Sequence, residues 1–325
     1  MPVLSQLVIV VTLNPALDIT HEVARADWAD VNRPQRVLQR AGGKGLNVAR
    51  TLAALGSPVA VIGLAGGLTG QAISAGLEQA GLAAELLQTA AETRRSFTVV
   101  DAARGSAAVF NEPGPQVSAQ EWASFQAAYR RALDRAAVVV LTGSLPPGLP
   151  PDAYAVLSGL AADSGAQVIL DADGDALRLG AAGRPAIAKP NLGELERATG
   201  RPLRQPGGPD LPQVAEAVAD LRAAGAAAVV VSLGQAGLLA CTGKGCWRAV
   251  SPPAPASGNP TGAGDAVVAA LARGLLLGQD WPERLRHAAA LGAAAAAAPV
   301  AGEFSKDDYQ RLLPVTEVAD GGDIQ

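Results

Sequence analysis

VIVVTLN, residues 8–14, is a run of β-branched residues closed by an amide, and the same design returns as VAVIGLAG (59–66), AVVVLTG (137–143), AQVILDAD (166–173) and AAVVVSLG (227–234). Strands that are apolar on both faces and separated by helical segments make a mainly parallel sheet covered on both sides. The expected fold class is α/β. Two stretches break the rhythm: DITHEVARADW (18–28) with QRVLQR (35–40), and SFTVVDAARGSAAVF (96–110). They alternate apolar and polar residues, as strands wetted on one face do, and a DAARG turn divides the second. A small antiparallel β flap, or lid, is expected over about 18–40 and 96–111, inserted into one domain that takes in residues 1–325.

The bulk composition narrows the partners. With 325 residues, 49% hydrophobic and 17% charged, the chain buries a large core. A formal net charge of -4 and a pI near 5.3 give no basic surface for nucleic acid or an anionic membrane, so a phosphate ligand has to be met by local groups. Cys241 and Cys246 lack the remaining ligands of a zinc site and are expected as reduced packing residues. The apolar stretch Leu7 to Val11 is too short for a secretion signal, no window reaches the length of a membrane span, and a cytoplasmic location is expected. The alanine-rich segment 286–298 is expected as a buried helix whose small residues allow close packing.

Ligands of open parallel sheets gather beyond the carboxyl ends of the strands, so the loops there are where chemistry is sought. In GNPTGAGDAVVAALARGLLLG (258–278) a glycine-rich turn opens directly into an apolar helix. Gly262 and Gly264 let backbone N–H groups approach a ligand, and the helix N-terminus adds partial positive charge, which makes an anion hole. Asp265 at its mouth would repel a phosphate, and its presence makes sense as the acceptor of a hydroxyl proton. The ordinary alternative is a helix-capping Asp. AGGKGLNVARTLAALG (41–56) repeats the turn-to-helix design with Lys44 and Asn47 on the first turn. It is neither a GxxxxGK[ST] phosphate loop nor a dinucleotide GxGxxG, which removes a Rossmann dehydrogenase from consideration.

TLNPALD (12–18), GGKGLNVAR (42–50), GLAGGLTG (63–70), FNEPGP (110–115), TGSLPPGLP (142–150), KPNLGELE (189–196), VSLGQAGLL (231–239) and NPTGAGDA (259–266) follow one another in an order and spacing that resembles the PfkB (ribokinase-like) sugar kinases, from about residue 8 to 313. TLNPALD, the Lys of GGKG and SLPPG are similar to the hexose-phosphate kinase branch that holds 1-phosphofructokinase, tagatose-6-phosphate kinase and the minor 6-phosphofructokinase. The resemblance implies a three-layer α/β/α fold with a lid and MgATP-dependent phosphoryl transfer to a sugar hydroxyl. By position, Asp265 matches the catalytic base, and Thr261, Gly262, Ala263 and Gly264 match the anion hole. Asp18 matches the carboxylate that holds sugar hydroxyls, with a plain strand-end Asp as the alternative; Gly42, Gly43 and Asn47 match the sugar-contacting turn, and Asn111 ends a lid strand.

On the nucleotide side Lys189, Asn191 and Glu194 match a KPNxxE segment whose Asn and Glu place Mg²⁺ through water. Ser232, Gly234 and Gly237 match the loop under the nucleotide, and Ala290 to Ala294 an adenine wall. Lys44, Arg94 and Arg33 are the cations expected at the substrate's own phosphate, while Arg95 and Arg36 read as solvated surface charge. Asn259 replaces a usual Asp, which leaves monovalent-cation activation open, and TRRSFT departs from the branch's TRxN. FNEPGP and VAGEF favour fructose 1-phosphate, with tagatose 6-phosphate or fructose 6-phosphate as alternatives and a silent sugar-phosphate sensor as the non-enzymatic one. A homodimer is expected through an exposed apolar lid face formed by Ile19, Val23, Val37, Phe97, Val99 and Val109.

Overall fold

The computed structural model of the chain describes residues 7–250, 252, 261–298 and 300–320. In chain order the elements are β1 (Leu7–Thr12), β2 (Ala16–Val23), β3 (Arg36–Gly42), α1 (Lys44–Ala54), β4 (Val59–Gly66), α2 (Gly67–Gln79), β5 (Ala83–Thr89), β6 (Arg95–Asp101) and β7 (Ser106–Asn111). They continue with α3 (Ala119–Leu133), β8 (Ala136–Thr142), α4 (Ala153–Asp163), β9 (Gln167–Asp171), α5 (Gly174–Gly180), β10 (Ile187–Ala188), α6 (Leu192–Thr199), β11 (Arg204–Gln205) and β12 (Gly208–Pro209). The last are α7 (Leu211–Ala224), β13 (Ala228–Ser232), β14 (Leu238–Thr242), β15 (Gly245–Val250), α8 (Ala263–Leu276), α9 (Trp281–Ala296), α10 (Lys306–Leu312) and β16 (Glu317–Asp320).

A 10-stranded sheet runs β16-β15-β14-β13-β10-β9-β8-β1-β4-β5. Every pairing from β13 to β5 is parallel, and β14, β15 and β16 extend one edge antiparallel. The strand period of two explains the layers. Val8 and Val10 of β1 join Leu46 and Leu52 of α1, Ile73 of α2 and Leu271 of α8. Ile9 and Val11 turn the other way, to Phe125 and Tyr129 of α3, Leu157 of α4, Leu195 of α6 and Val218 of α7. Both faces are therefore apolar because both are covered, as the unbroken β-branched runs require. The two large buried tyrosines keep their hydroxyls satisfied: Tyr129 donates to the Leu157 carbonyl at 3.2 Å and Tyr154 to the Gly143 carbonyl at 3.0 Å.

The alanine-rich helix α9 is buried against α8, and Gly292 explains how closely: a Cβ there would stand 2.8 Å from Val267 Cγ2. Ala290, Ala293 and Ala294, expected to wall an adenine, are packed against Leu312, with Phe304 and Tyr309 beside them. All three are buried on the face that α10 covers.

The lid is a four-stranded sheet in the order β3-β2-β6-β7. Its β2–β3 and β6–β7 pairings are antiparallel, and the central β2–β6 pairing is parallel, Ile19 opposite Phe97. The expected single apolar face is divided. Ile19 and Val23 are buried, whereas Val37 is 49% and Val109 57% exposed, and their registers, Val37 to His21 to Val99 and Val109 to Thr98 to Thr20, put them on opposite faces.

One further expectation is corrected. Cys241 and Cys246 are joined in a disulfide. They face each other directly in the β14–β15 hairpin, with Cα atoms 4.1 Å apart, a proximity fixed by the antiparallel register.

The core supplies a simple check on this architecture. Phe125 stacks between Trp122 at 5.8 Å and Tyr129 at 6.2 Å and is fully buried. Phe125→Ala is expected to lower the unfolding free energy in urea by about 3–5 kcal/mol, whereas a loss below about 1 kcal/mol would contradict this packing.

Candidate active site

Parallel strands deliver their carboxyl ends to one edge of the sheet, and the polar residues that follow β1, β8, β9, β10 and β13 meet there with the N-termini of α1 and α8. The turn before α8 bends at Gly262, with φ +92 in the left-handed region, and a Cβ on it would lie 3.0 Å from Ala301 and Gly302. Gly264 leaves open a space in which a Cβ would lie 3.8 Å from the Lys189 ammonium. A helix N-terminus and a buried cation thus share one spot, the surroundings an anion requires. Thr261 is exposed at the start of this turn, and Asn259, with the monovalent-cation expectation attached to it, lies outside the described residues.

Asp265 sits on the first turn of α8, only 6% exposed, and its Oδ2 accepts a hydrogen bond from Asn47 Nδ2 at 2.9 Å. The N-cap is Gly262, so Asp265 does not cap this helix. Burial, and next the negative charge of Asp171, push its pKa up to about 7, against the opposing pull of the Asn47 bond and of Lys44 and Lys189. A carboxyl that changes state near neutrality is equipped to take a proton.

Asp171, at the end of β9, is the residue that sequence reasoning missed. It is completely buried between two ammonium groups, with Lys189 Nζ at 3.0 Å from Oδ1 and Lys44 Nζ at 3.7 Å from Oδ2, and Thr142 donates its hydroxyl to Oδ2 at 2.9 Å. Burial alone would raise its pKa, but Lys189, then Lys44 and the hydrogen bonds, hold it below the ordinary carboxylate value. Lys44 is in turn held well above the ordinary ammonium range, first by Asp171 and, against the cost of burial, by Glu194 at 3.0 Å. The signal was present, an acidic residue closing an apolar strand in AQVILDAD, but nothing in the sequence names its partners across the sheet.

Asn191 caps α6 and forms a reciprocal pair with Glu194: Glu194 N–H donates to Asn191 Oδ1 at 2.9 Å and Asn191 N–H to Glu194 Oε2 at 2.8 Å. Ser232 lies alongside, bridged to Asn191, and its N–H donates to the Pro190 carbonyl. Gly234 and Gly237 both have positive φ, and a Cβ on Gly237 would collide with the Ala249 carbonyl. Among the described residues no group of three or more His, Cys, Asp or Glu is arranged to hold a metal by itself.

The residues expected on the sugar side form a second group. Asp18 of β2 lies against Gly42, where any Cβ would collide with its carboxylate, and Gly43 has φ +100. Burial raises the Asp18 pKa, opposed by Arg94, Arg50, the Gly43 N–H and Arg40. Arg94 is fixed by its Nε donating to the Asn14 carbonyl at 3.1 Å and Nη1 to the Glu112 carbonyl at 3.4 Å. Asn14 Nδ2 donates to the Pro113 carbonyl and to Ser144 Oγ, both at 3.0 Å, which ties the TLNP, FNEPGP and SLPPG segments into one wall. Asn111, exposed, accepts from Ser96 Oγ at 2.8 Å. Lys44, expected beside Arg94, turns its ammonium to Glu194 and Asp171 instead. Arg33 stands exposed in the loop between β2 and β3. Arg95 and Arg36 pair with Glu112 and Glu22 at 3.5 and 3.9 Å on the surface, as read from the sequence.

Comparison with known proteins agrees with this geometry. A family model described as "pfkB family carbohydrate kinase" matches residues 11–307. Phosphofructokinase-2 from Escherichia coli in complex with potassium superposes with a TM-score of 0.87 at 29% identity, covering 95% of this chain and 98% of that one. The same enzyme in complex with fructose-6-phosphate gives 0.84 at 28%, covering 95% and 98%. A Thermotoga maritima chain described as "Possible 1-phosphofructokinase" gives 0.84 at 24%, covering 97% and 99%, a likeness of fold. Among the described residues no helix is long and apolar enough to cross a membrane.

The environment of Asp265 has a consequence for stability. A carboxyl whose pKa is raised on folding binds its proton more tightly when folded, so the penalty for ionising it is absent below about pH 4 and complete above about pH 7. Asp265→Asn, which keeps the acceptor for Asn47, is expected to be more stable than the parent at pH 8 by on the order of 2–4 kcal/mol, shrinking toward pH 5. Urea unfolding at the two pH values checks it; a gain independent of pH would show that ionisation is not its source.

Proposed function

We propose, because this chain belongs to the pfkB family of carbohydrate kinases and is thus an ATP-dependent phosphotransferase acting on a sugar hydroxyl, that its acceptor is a ketohexose monophosphate, fructose 1-phosphate first, and its product the bisphosphate. The observation that carries the reading is Asp265, a buried carboxyl with a pKa of about 7, held by Asn47 on the first turn of a helix whose N-terminus adjoins Lys189. The Asp265 carboxylate takes the proton of the attacking 6-hydroxyl as its oxygen attacks the γ-phosphorus of ATP and the bond to the β-bridging oxygen breaks. The N–H groups of the Gly262–Gly264 turn, with Lys189 and Lys44, neutralise charge on the transferred group. Asp18 accepts from sugar hydroxyls and Arg94 takes the sugar's own phosphate. Ser232, Gly234 and Gly237 line the nucleotide.

Mg²⁺ fits beside Asn191 and Glu194 as an outer-sphere guest. Both Glu194 oxygens and the Asn191 Oδ1 are already engaged, so contact through water suits them better than direct ligation, and an ion there would neutralise nucleotide phosphates. The intact Asp265 and Gly262–Gly264 turn favour an enzyme over a silent sugar-phosphate sensor.

The outer lid surface supports pairing with a second copy. Val37, Val99 and Phe110, the last 51% exposed, share one face, and Trp28, packed on Phe110, is 64% exposed. A homodimer through the lids would cover them. Light scattering at micromolar concentration is expected to report a dimer that Phe110→Glu converts to a monomer; a monomeric parent would exclude it.

A coupled ADP-release assay across fructose 1-phosphate, fructose 6-phosphate, tagatose 6-phosphate and unphosphorylated fructose tests the substrate. Turnover of fructose as fast as of the phosphosugars would reject the reading. In the same assay Arg94→Ala is expected to cost roughly 2–5 kcal/mol of kcat/KM for the phosphosugar and to leave the KM for ATP nearly unchanged.

The base is tested separately. Asp265→Asn is expected to lower kcat at least about 100-fold, with nucleotide binding retained. In the parent, kcat/KM for the sugar should rise with pH through about 7, since the carboxyl must be ionised to act. A flat profile from pH 6 to 8 would remove Asp265 from the proton transfer.

A further inference from the structure

The last residues of β3 stand between the sugar group and the anion turn. Arg40 lies opposite Asp18 in the β2–β3 register. Its guanidinium reaches away from the lid to the segment after α9, where Nη1 donates to the Ala301 carbonyl at 3.0 Å and Nη2 lies 3.2 Å from Glu303 Oε1. That segment rests on the catalytic parts with no slack. A Cβ on Gly302 would lie 2.8 Å from Asn47 Oδ1 and 2.9 Å from its Cα, and a Cβ on Gly262 would lie 3.0 Å from Ala301 Cα. Asn47 holds Asp265. On the other side of the same strand Arg50, from α1, donates to the Ala41 carbonyl.

We propose that Arg40 is a positioning residue that couples occupancy of the sugar side to the phosphoryl-transfer side, by clasping Ala301–Glu303 of the segment that lies over Gly262 and Asn47. The proposal rests on the kinase reading above. An ion pair this exposed adds little stability, and the bond to a backbone carbonyl is what fixes position. When Asp18 takes a sugar, the ends of β2 and β3 settle. Arg40 then settles the 301–303 segment, and the close contacts at Gly302 and Gly262 leave Asn47 and the anion turn no independent position. Coupling of this kind is reciprocal: sugar tightens nucleotide as much as nucleotide tightens sugar.

Calorimetric titration of a non-hydrolysable ATP analogue with Mg²⁺, with and without saturating acceptor, reads the coupling directly. The acceptor is whichever sugar the parent turns over fastest in the panel above, so an unexpected substrate would sink the ketohexose-phosphate reading and leave this test intact. The parent is expected to bind the analogue at least about fivefold more tightly with sugar present, and Arg40→Ala less than about twofold, each binary Kd moving less than about threefold. Arg40→Lys, which replaces the fork by one ammonium, is expected to fall between them and decides the matter should Arg40→Ala not fold. An uncoupled parent, or either variant with full coupling, overturns the proposal. So does a tenfold loss of binary sugar affinity with the coupling kept, which would make Arg40 a ligand contact.

Discussion

A carboxylate without water has to be balanced by something, and the active edge of this protein is organised around how Asp171 is balanced. It is completely buried with an ammonium on each oxygen, and the two lysines come from opposite ends of the site, Lys189 after β10 and Lys44 at the start of α1. Removing either lysine would leave an uncompensated buried charge, the costly case for an ion cluster. The same group also sets Asp265. Burial first and the Asp171 charge second raise the Asp265 pKa to about 7, and the two lysines and the Asn47 hydrogen bond offset only part of that rise. The basicity of the candidate base is thus a property of the whole cluster.

The group around Asp18 is governed by space more than by charge. Gly42, Gly262 and Gly302 each stand where another segment passes so closely that a methyl group would displace it. The segments concerned come from the lid, the anion turn and the chain after α9. Three glycines therefore allow remote parts of the sequence to lie within van der Waals reach around Asn47 and Asp18, and the polar atoms of those two side chains are aimed by the backbone around them.

Much of this was legible in the sequence because its signals are local. Unbroken β-branched runs gave the parallel strands, alternation gave the lid, and a glycine turn before an apolar helix gave the start of α8 with Asp265 on its first turn. The illegible parts depend on partners far apart in the chain. Asp171 looked like the end of a strand, because its lysines and Thr142 come from three other elements. The orientation of Lys44 followed from Glu194, which no spacing rule connects to it. The pairing of Cys241 with Cys246 depends on the hairpin register that places them face to face, which neither strand contains alone. Val109 falls on the other face of the lid because the β6–β7 register sets it opposite Thr98, and that register is not contained in either strand alone.

That lid order also bears on how the molecule assembles. Ile19 and Phe97 are about 80 residues apart in sequence, so the central lid pairing closes a long loop and cannot form from a local hairpin. Between them lie β3, α1, β4, α2 and β5, and β4 pairs with β1 across about 50 residues, a shorter loop. The chain entropy of that loop is largely spent once those elements have docked, and the parallel pairing then closes cheaply. Asp18, carried on β2, and Arg94, just before β6, consequently meet more readily once β4 and β5 have docked. Without that closure Asp18 and Arg94 would stay apart, whatever the state of the long-range contacts that join Asn47 to Asp265 and Lys44 to Glu194.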